Sequence, residues 1–124
     1  MDNARRGVKL IIAGSRTIPP SCYPLIARSI RKPRIVSEVV SGEARGADRL
    51  GELWAKRNGV PVAHFPALWE RYGRFAGKMR NIQMADYADC LLAIWDGKSP
   101  GTAHMIAEMK RRGKPVKVVT AESN

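Results

Sequence analysis

Four short segments hold most of the residues whose types and spacing could do chemistry. They are Gly14-Ser15-Arg16, Ser41-Gly42-Glu43-Ala44-Arg45-Gly46-Ala47-Asp48, the stretch from Pro66 through Trp69 to Arg80-Asn81, and Asp96-Gly97-Lys98-Ser99-Pro100-Gly101-Thr102. Each contains glycine and at least one lysine or arginine. Glycine lets a backbone approach a ligand closely and present its N–H groups. A helix starting there adds partial positive charge, and arginine supplies a planar fork of donors. That combination binds anions, phosphate above all. The hydroxyls of Ser15, Ser99 and Thr102 add donors, and the carboxylates of Asp48 and Asp96 could accept from sugar hydroxyls. Asp48 could equally cap the helix it opens. A tight turn accounts for any one of these segments; four on one rim of a sheet point to a ligand.

Several sharper chemistries fail on spacing. Gly42-Glu43-Ala44-Arg45-Gly46 is not the G-x-G-x-x-G of dinucleotide-binding turns. Gly97-Lys98-Ser99 matches the end of a P-loop, but the required earlier glycine falls at Leu92. His64 and His104 are the only histidines, and Cys22 and Cys90 the only cysteines. No cluster has zinc-ligand spacing, so no metal and no cofactor is expected. Each histidine reads as structural. Ser15 lacks the context of a nucleophile elbow. Asp86 and Asp89 read as a helix face and a helix end. Asp96, at the mouth of an apolar strand, is the strongest acid–base candidate of the three, and Trp95 beside it reads as core.

These segments share one side only if strands and helices alternate between them. Val8–Ala13, Val36–Val40, Val60–Phe65, Cys90–Trp95 and Val116–Val119 read as strands. Helices are expected from Pro19-Pro20 toward Pro33, over Ala47–Asn58, over Phe75–Tyr87 and over Thr102–Arg112, with Pro66–Tyr72 a loop or short helix. This order predicts an α/β fold: a Rossmann-like, doubly wound, mostly parallel five-stranded sheet with helices on both faces. Ligands bind such sheets outside the carboxyl ends of the strands, where all four segments fall.

The 124 residues are expected to form one domain, 1–124, with a core of about 8–119, and 44% hydrophobic residues suffice to fill it. Lys+Arg is 22 and Asp+Glu 11, a net charge of +11 that attracts anions at long range. The basic residues group at 5–6, 28–34, 71–80 and 110–117. Only the third group interleaves with aromatics, Trp69, Tyr72 and Phe75, as in surfaces that stack bases or in the buried side of an ordinary helix. No run reaches the roughly 18 apolar residues of a membrane span, and Met1–Ala13 does not read as a signal peptide. Two cysteines make no disulfide scaffold. The chain is expected to be cytoplasmic.

The sequence resembles the YspA-like branch of the SLOG superfamily, which also holds the Smf/DprA and lonely-guy proteins. The resemblance rests on Gly14-Ser15-Arg16, Ser41 to Arg49, Pro66-Ala67-Leu68-Trp69, Tyr72-Gly73, Ala76-Gly77, Arg80-Asn81 with Met84, and Trp95 to Thr102. It spans residues 8–119, and the order of the motifs is more specific than any one of them. It implies a Rossmann-like domain that binds a nucleotide or nucleotide-derived ligand as a sensor or sequestering protein. It also implies two alternatives: phosphoribohydrolase action on nucleoside monophosphates, as in lonely-guy proteins, and single-stranded nucleic-acid binding, as in DprA relatives. Arg80, Asn81, Met84 and Gly101-Thr102 resemble parts of the hydrolase motifs, but the catalytic glutamate would fall at Met105, which argues against hydrolysis. Glu43 stands where the branch more usually has glycine. If the chain is an enzyme, Arg80, Asp96 and Glu43 are its catalytic candidates. The expected ligand contacts are Gly14, Ser15, Arg16, Ser41, Gly42, Glu43, Arg45, Gly46, Ala47, Asp48, Trp69, Arg80, Asn81, Asp96, Gly97, Ser99, Gly101 and Thr102. Phosphate is assigned to the backbone of Gly42–Ala47 and Gly97–Thr102, and a base to Trp69. The expected partners are a nucleotide-like small molecule, nucleic acid through the basic surface and, by superfamily analogy, further copies of the chain, with no membrane.

Overall fold

The computed structural model describes residues 7–121; the expected basic pair Arg5-Arg6 lies outside them. Strands β1 (Val8–Gly14), β2 (Val36–Ser41), β3 (Val62–His64), β4 (Cys90–Trp95) and β5 (Val116–Thr120) form one sheet in the order β3-β2-β1-β4-β5. Every neighbouring pair is parallel, so the sheet is wholly rather than mostly parallel. The two central strands, VKLIIAG and CLLAIW, read as near-continuous apolar runs because helices cover both faces.

The period of two along β1 sorts its side chains between two cores. Leu10 and Ile12 join Ile26 of α1 (Tyr23–Ser29) and Leu50, Trp54 and Ala55 of α2 (Ala47–Arg57). On the opposite face Ile11 and Ala13 join Met84 and Ala85 of α4 (Ala76–Tyr87) and Met105, Ile106 and Met109 of α5 (Pro100–Arg111). A four-residue helix, α3 (Trp69–Tyr72), sits in the connection from β3 to α4.

The element boundaries shift where proline acts. Pro20–Cys22 is a 3-10 turn, so α1 begins only at Tyr23, and it stops at Ser29 because Ile30 is extended. Pro61 has no N–H to give the ladder, so β3 starts at Val62 and the Pro61 carbonyl accepts from Val39 at 2.9 Å. Helix α5 starts two residues before the expected Thr102, because Pro100 suits its first position. Among the described residues no helix is long and apolar enough to cross a membrane.

The chain winds outward from β1 through β2 to β3, then restarts at β4 on the other side of β1. The crevice beyond the ends of β1 and β4 is therefore the topological switch point, the place where such sheets hold ligands.

Candidate functional site

A cavity of about 380 Å³ opens at this switch point. Of the expected contacts it gathers Gly14, Ser15, Arg16, Asp48, Arg80, Asn81, Asp96, Ser99, Gly101 and Thr102. Ser15 is 1% exposed and stitches the β1 loop to the β4 loop. Its hydroxyl oxygen accepts the Asp96 N–H at 3.0 Å and lies 2.9 Å from the Ser99 hydroxyl oxygen. Asp96 in turn accepts the N–H groups of Lys98 and Ser99, both at 2.8 Å, and the Ser99 hydroxyl at 3.0 Å. Those backbone bonds hold its carboxyl down at about 2. Asp96 is therefore ionised, with much of its acceptor capacity spent on shaping its own loop. No side chain caps α5, and Pro100 has no N–H. The first-turn N–H groups of Gly101 and Thr102, residues that line the cavity, have no helical acceptor.

Arg80 forms the opposite wall. It lies in the second turn of α4, and its Nη1 donates to the Gly42 carbonyl while its Nε donates to Asn81 Oδ1 at 3.1 Å. A Cβ at position 42 would come within 2.6 Å of that Nη1, so glycine is what lets the guanidinium lie across the loop. An arginine carries five N–H donors, and two are committed here. Burial pulls the Arg80 pKa down and neighbouring Arg16 adds to this, while Asp48 opposes it. Asp48, 5% exposed in the first turn of α2, accepts the Ala44 N–H at 3.1 Å. Burial raises its carboxyl to about 6, against the pull of that bond and of the Arg80 charge. Asn81 Nδ2 donates to the Gly101 carbonyl at 3.3 Å and lies 3.1 Å from His104 Nδ1, tying α4 to α5. Burial lowers the His104 pKa, which favours the neutral ring that can accept from Asn81.

A second cavity of about 310 Å³ adjoins the first along Arg16, Ala44 and Arg80. It is lined further by Gly42, Glu43, Arg45 and Trp69. Glu43 holds a left-handed backbone, φ 65°, and its Oε2 lies 2.8 Å from His64 Nδ1. His64 thus sits beside this cavity, and His104 beside the first. Trp69 is 52% exposed and Phe75 54%, so these aromatics are not the buried side of a helix.

Four expected contacts line neither cavity. Ser41 is buried and donates to Glu52 at 2.6 Å. Ala47 is buried, with its N–H turned to the Ser15 carbonyl at 3.3 Å. Gly46, at φ 75°, packs where a Cβ would lie 2.4 Å from that same carbonyl. Gly97 turns outward at φ 81° with open space around it. The Gly42–Ala47 backbone is also less available to phosphate than its glycines suggest. The N–H groups of Glu43, Ala44 and Ala47 go to Ser41, Asp48 and Ser15. Thr17, Pro100, Pro66 and Ala67 line the cavities without having been expected there. Thr17 follows Gly14-Ser15-Arg16 directly, which was signal enough to include it. Met84 and Met105 give the inner cavity a partly apolar wall.

The model of the YspA, cpYpsA-related SLOG family matches residues 8–72. The Gene 61 protein of Mycobacterium phage D29 is 35% identical over 117 residues, a match covering 87% of this chain and 93% of that protein. The X-ray structure of DNA processing protein A (DprA) from Streptococcus pneumoniae superposes with a TM-score of 0.77 at 16% identity, over 97% of this chain and 53% of that one. The chain therefore spans about half the length of that neighbour, and the likeness is one of fold. By sequence, the chain belongs to the YspA, cpYpsA-related SLOG family.

Proposed function

We propose that this protein binds a nucleotide-type ligand without cleaving it, as a sensor or sequestering protein. The phosphate would sit between Arg16, Arg80 and the first turn of α5. The observation that carries this reading is the convergence of two guanidiniums and an uncapped helix N-terminus on one cavity at the switch point. Three features favour holding over hydrolysis. Met105, whose thioether cannot stabilise an oxocarbenium ion, occupies the place of the lonely-guy glutamate. Asp96 is occupied by its own loop. Glu43 faces His64 and lines only the second cavity. Asp48, with a carboxyl near 6 in the first cavity, is the group on which a hydrolytic reading would turn.

A thermal-shift screen of mononucleotides, cyclic dinucleotides, NAD and ADP-ribose, with mass spectrometry of the incubated ligands, tests this. A ligand at 100 times its dissociation constant stabilises by about 2.7 kcal/mol. A shift with intact ligand, clearly reduced in Arg16→Ala, is the expected result. Release of free base would replace the reading with hydrolysis, and no shift across the panel would refute it.

A second reading, single-stranded nucleic-acid binding, is favoured by the exposed Trp69 and Phe75 among Arg71, Arg74 and Lys78. The Arg74 guanidinium lies 5.2 Å from the centre of the Phe75 ring. This reading predicts oligonucleotide affinity that falls steeply with salt. Flat salt dependence would remove it.

A further inference from the structure

The two cavities are halves of one cleft that share a wall, and each carries a carboxyl beside that wall. The shared wall carries Arg16 and Arg80, with Arg16 close enough to disfavour the charge on Arg80. On the inner side lies the carboxyl of Asp48. On the outer side lies the carboxylate of Glu43, held by His64 at 2.8 Å, with the exposed Trp69 beyond it. The cations of the shared wall thus stand between two carboxyls, with Arg45 also lining the outer side. Cavity volumes of about 380 and 310 Å³ are each at the lower end of the roughly 300–1,000 Å³ range of small-molecule sites. A mononucleotide needs the basic junction and one lobe, and would leave the other lobe to water.

Resting on the nucleotide reading above, we infer that the ligand is a dinucleotide, two nucleosides bridged by phosphate, with the bridge on Arg16 and Arg80 and one nucleoside in each lobe. The uncommitted donors of Arg80 point to a phosphate shared between the lobes. Carboxylates on either side accept from ribose hydroxyls, which a phosphate-only ligand would not offer. Trp69 supplies the face on which the outer base stacks. Glu43 supports the same assignment. A left-handed backbone is natural to glycine and strained for glutamate, so this turn carries its carboxylate at a conformational cost.

Isothermal titration decides this with two matched sets of probes. One set is the four ribonucleoside 5′-monophosphates. The other is NAD, the linear 5′-phosphorylated dinucleotides and the cyclic dinucleotides built from the same bases. At least one dinucleotide should bind at least tenfold more tightly than either of its component mononucleotides. Trp69→Ala and Glu43→Gly, both at solvent-accessible positions, should erase that advantage. Mononucleotides binding as tightly as every dinucleotide would overturn the two-lobe assignment and leave the nucleotide reading standing. So would a dinucleotide advantage that survives both substitutions. Failure of both sets to bind would overturn the two readings together.

Discussion

Asp48 sets a stability test that needs no ligand. Its carboxyl is raised from 3.8 to about 6 chiefly by burial, with the Ala44 N–H and the Arg80 charge opposing the rise. Between those two values the folded chain binds a proton that the unfolded chain releases. The sign follows: this group's contribution is most favourable below pH 3.8 and is lost as the pH climbs to about 6. At about 1.4 kcal/mol per pH unit, the ionised carboxylate costs about 3 kcal/mol at neutral pH. Asp48→Asn keeps the shape and an acceptor for Ala44 and removes the ionisation. It should be about 3 kcal/mol more stable than the parent at pH 7.5 and close to it at pH 4. At about 3–4 °C per kcal/mol for a chain of this size, the expected gain in Tm is about 10 °C. Glu108, whose carboxyl is held down at about 2 by its bonds to Arg112 and Arg111, loses its contribution as the pH falls from 4.5 toward 2. That term is common to both chains and cancels in the difference. The assay is urea unfolding of parent and variant at half-unit steps from pH 4 to 7.5. A difference that stays flat across that range, or a variant less stable at pH 7.5, would refute the reasoning. Either result would mean that the Ala44 N–H bond and the Arg80 charge offset the burial of Asp48.

Other positions give shorter tests. Gly42→Ala should displace the Arg80 guanidinium, weaken nucleotide binding about 10- to 100-fold, the equivalent of one charge-assisted hydrogen bond, and lower Tm as the bonds to Gly42 and Asn81 are lost; calorimetry alongside a melt checks both. Glu43→Gly should raise stability by about 1 kcal/mol by relieving the left-handed backbone, read as an increase in the urea midpoint. Asp96→Ala should strand the Lys98 and Ser99 N–H groups and loosen the β4–α5 loop, seen as faster limited proteolysis near Gly97 with the sheet's circular dichroism unchanged. Trp54→Ala should cost about 3–5 kcal/mol, because the indole is buried between α2 and the sheet, and the unfolding midpoint should fall accordingly.

The sheet was legible because its strands are written in their simplest form. Parallel strands covered on both faces are apolar end to end, and Val8–Gly14 and Cys90–Trp95 contain almost nothing else. The rim of the site was legible for a similar reason, since glycine and a lysine or arginine repeat after each of the first four strands. What the residue types hid was how those groups spend their hydrogen bonds. Asp96 and Ser15 look like ligand contacts, yet each is engaged by the neighbouring loop. The Gly42–Ala47 backbone looks like a phosphate cradle, but three of its N–H groups close on Ser41, Asp48 and Ser15. A sequence gives the donors and acceptors of a loop, while tertiary geometry decides which of them remain for a ligand.

That division changes which residues carry the recognition. The loops after β1, β2 and β4 satisfy one another and so form a rigid frame. The groups left over come from side chains that cross between elements: Arg16 from the β1 loop, Arg80 from α4, Glu43 from the β2 loop and Trp69 from α3. A frame made of backbone bonds tolerates changes in those four side chains without unfolding, because a side-chain substitution leaves the backbone N–H groups of Glu43 and Trp69 on Ser41 and Ala67. Only Arg80 also holds the frame, through Gly42 and Asn81. Substituting Arg80 therefore mixes a loss of binding with a loss of structure. Arg16, exposed on the same junction, separates the two, which makes Arg16→Ala rather than Arg80→Ala the informative variant. It should lower nucleotide affinity at least tenfold with the Tm of the free protein within about 1 °C of the parent. A fall in Tm without a fall in affinity would move Arg16 from the ligand to the frame and leave Arg80 as the sole cation at the junction.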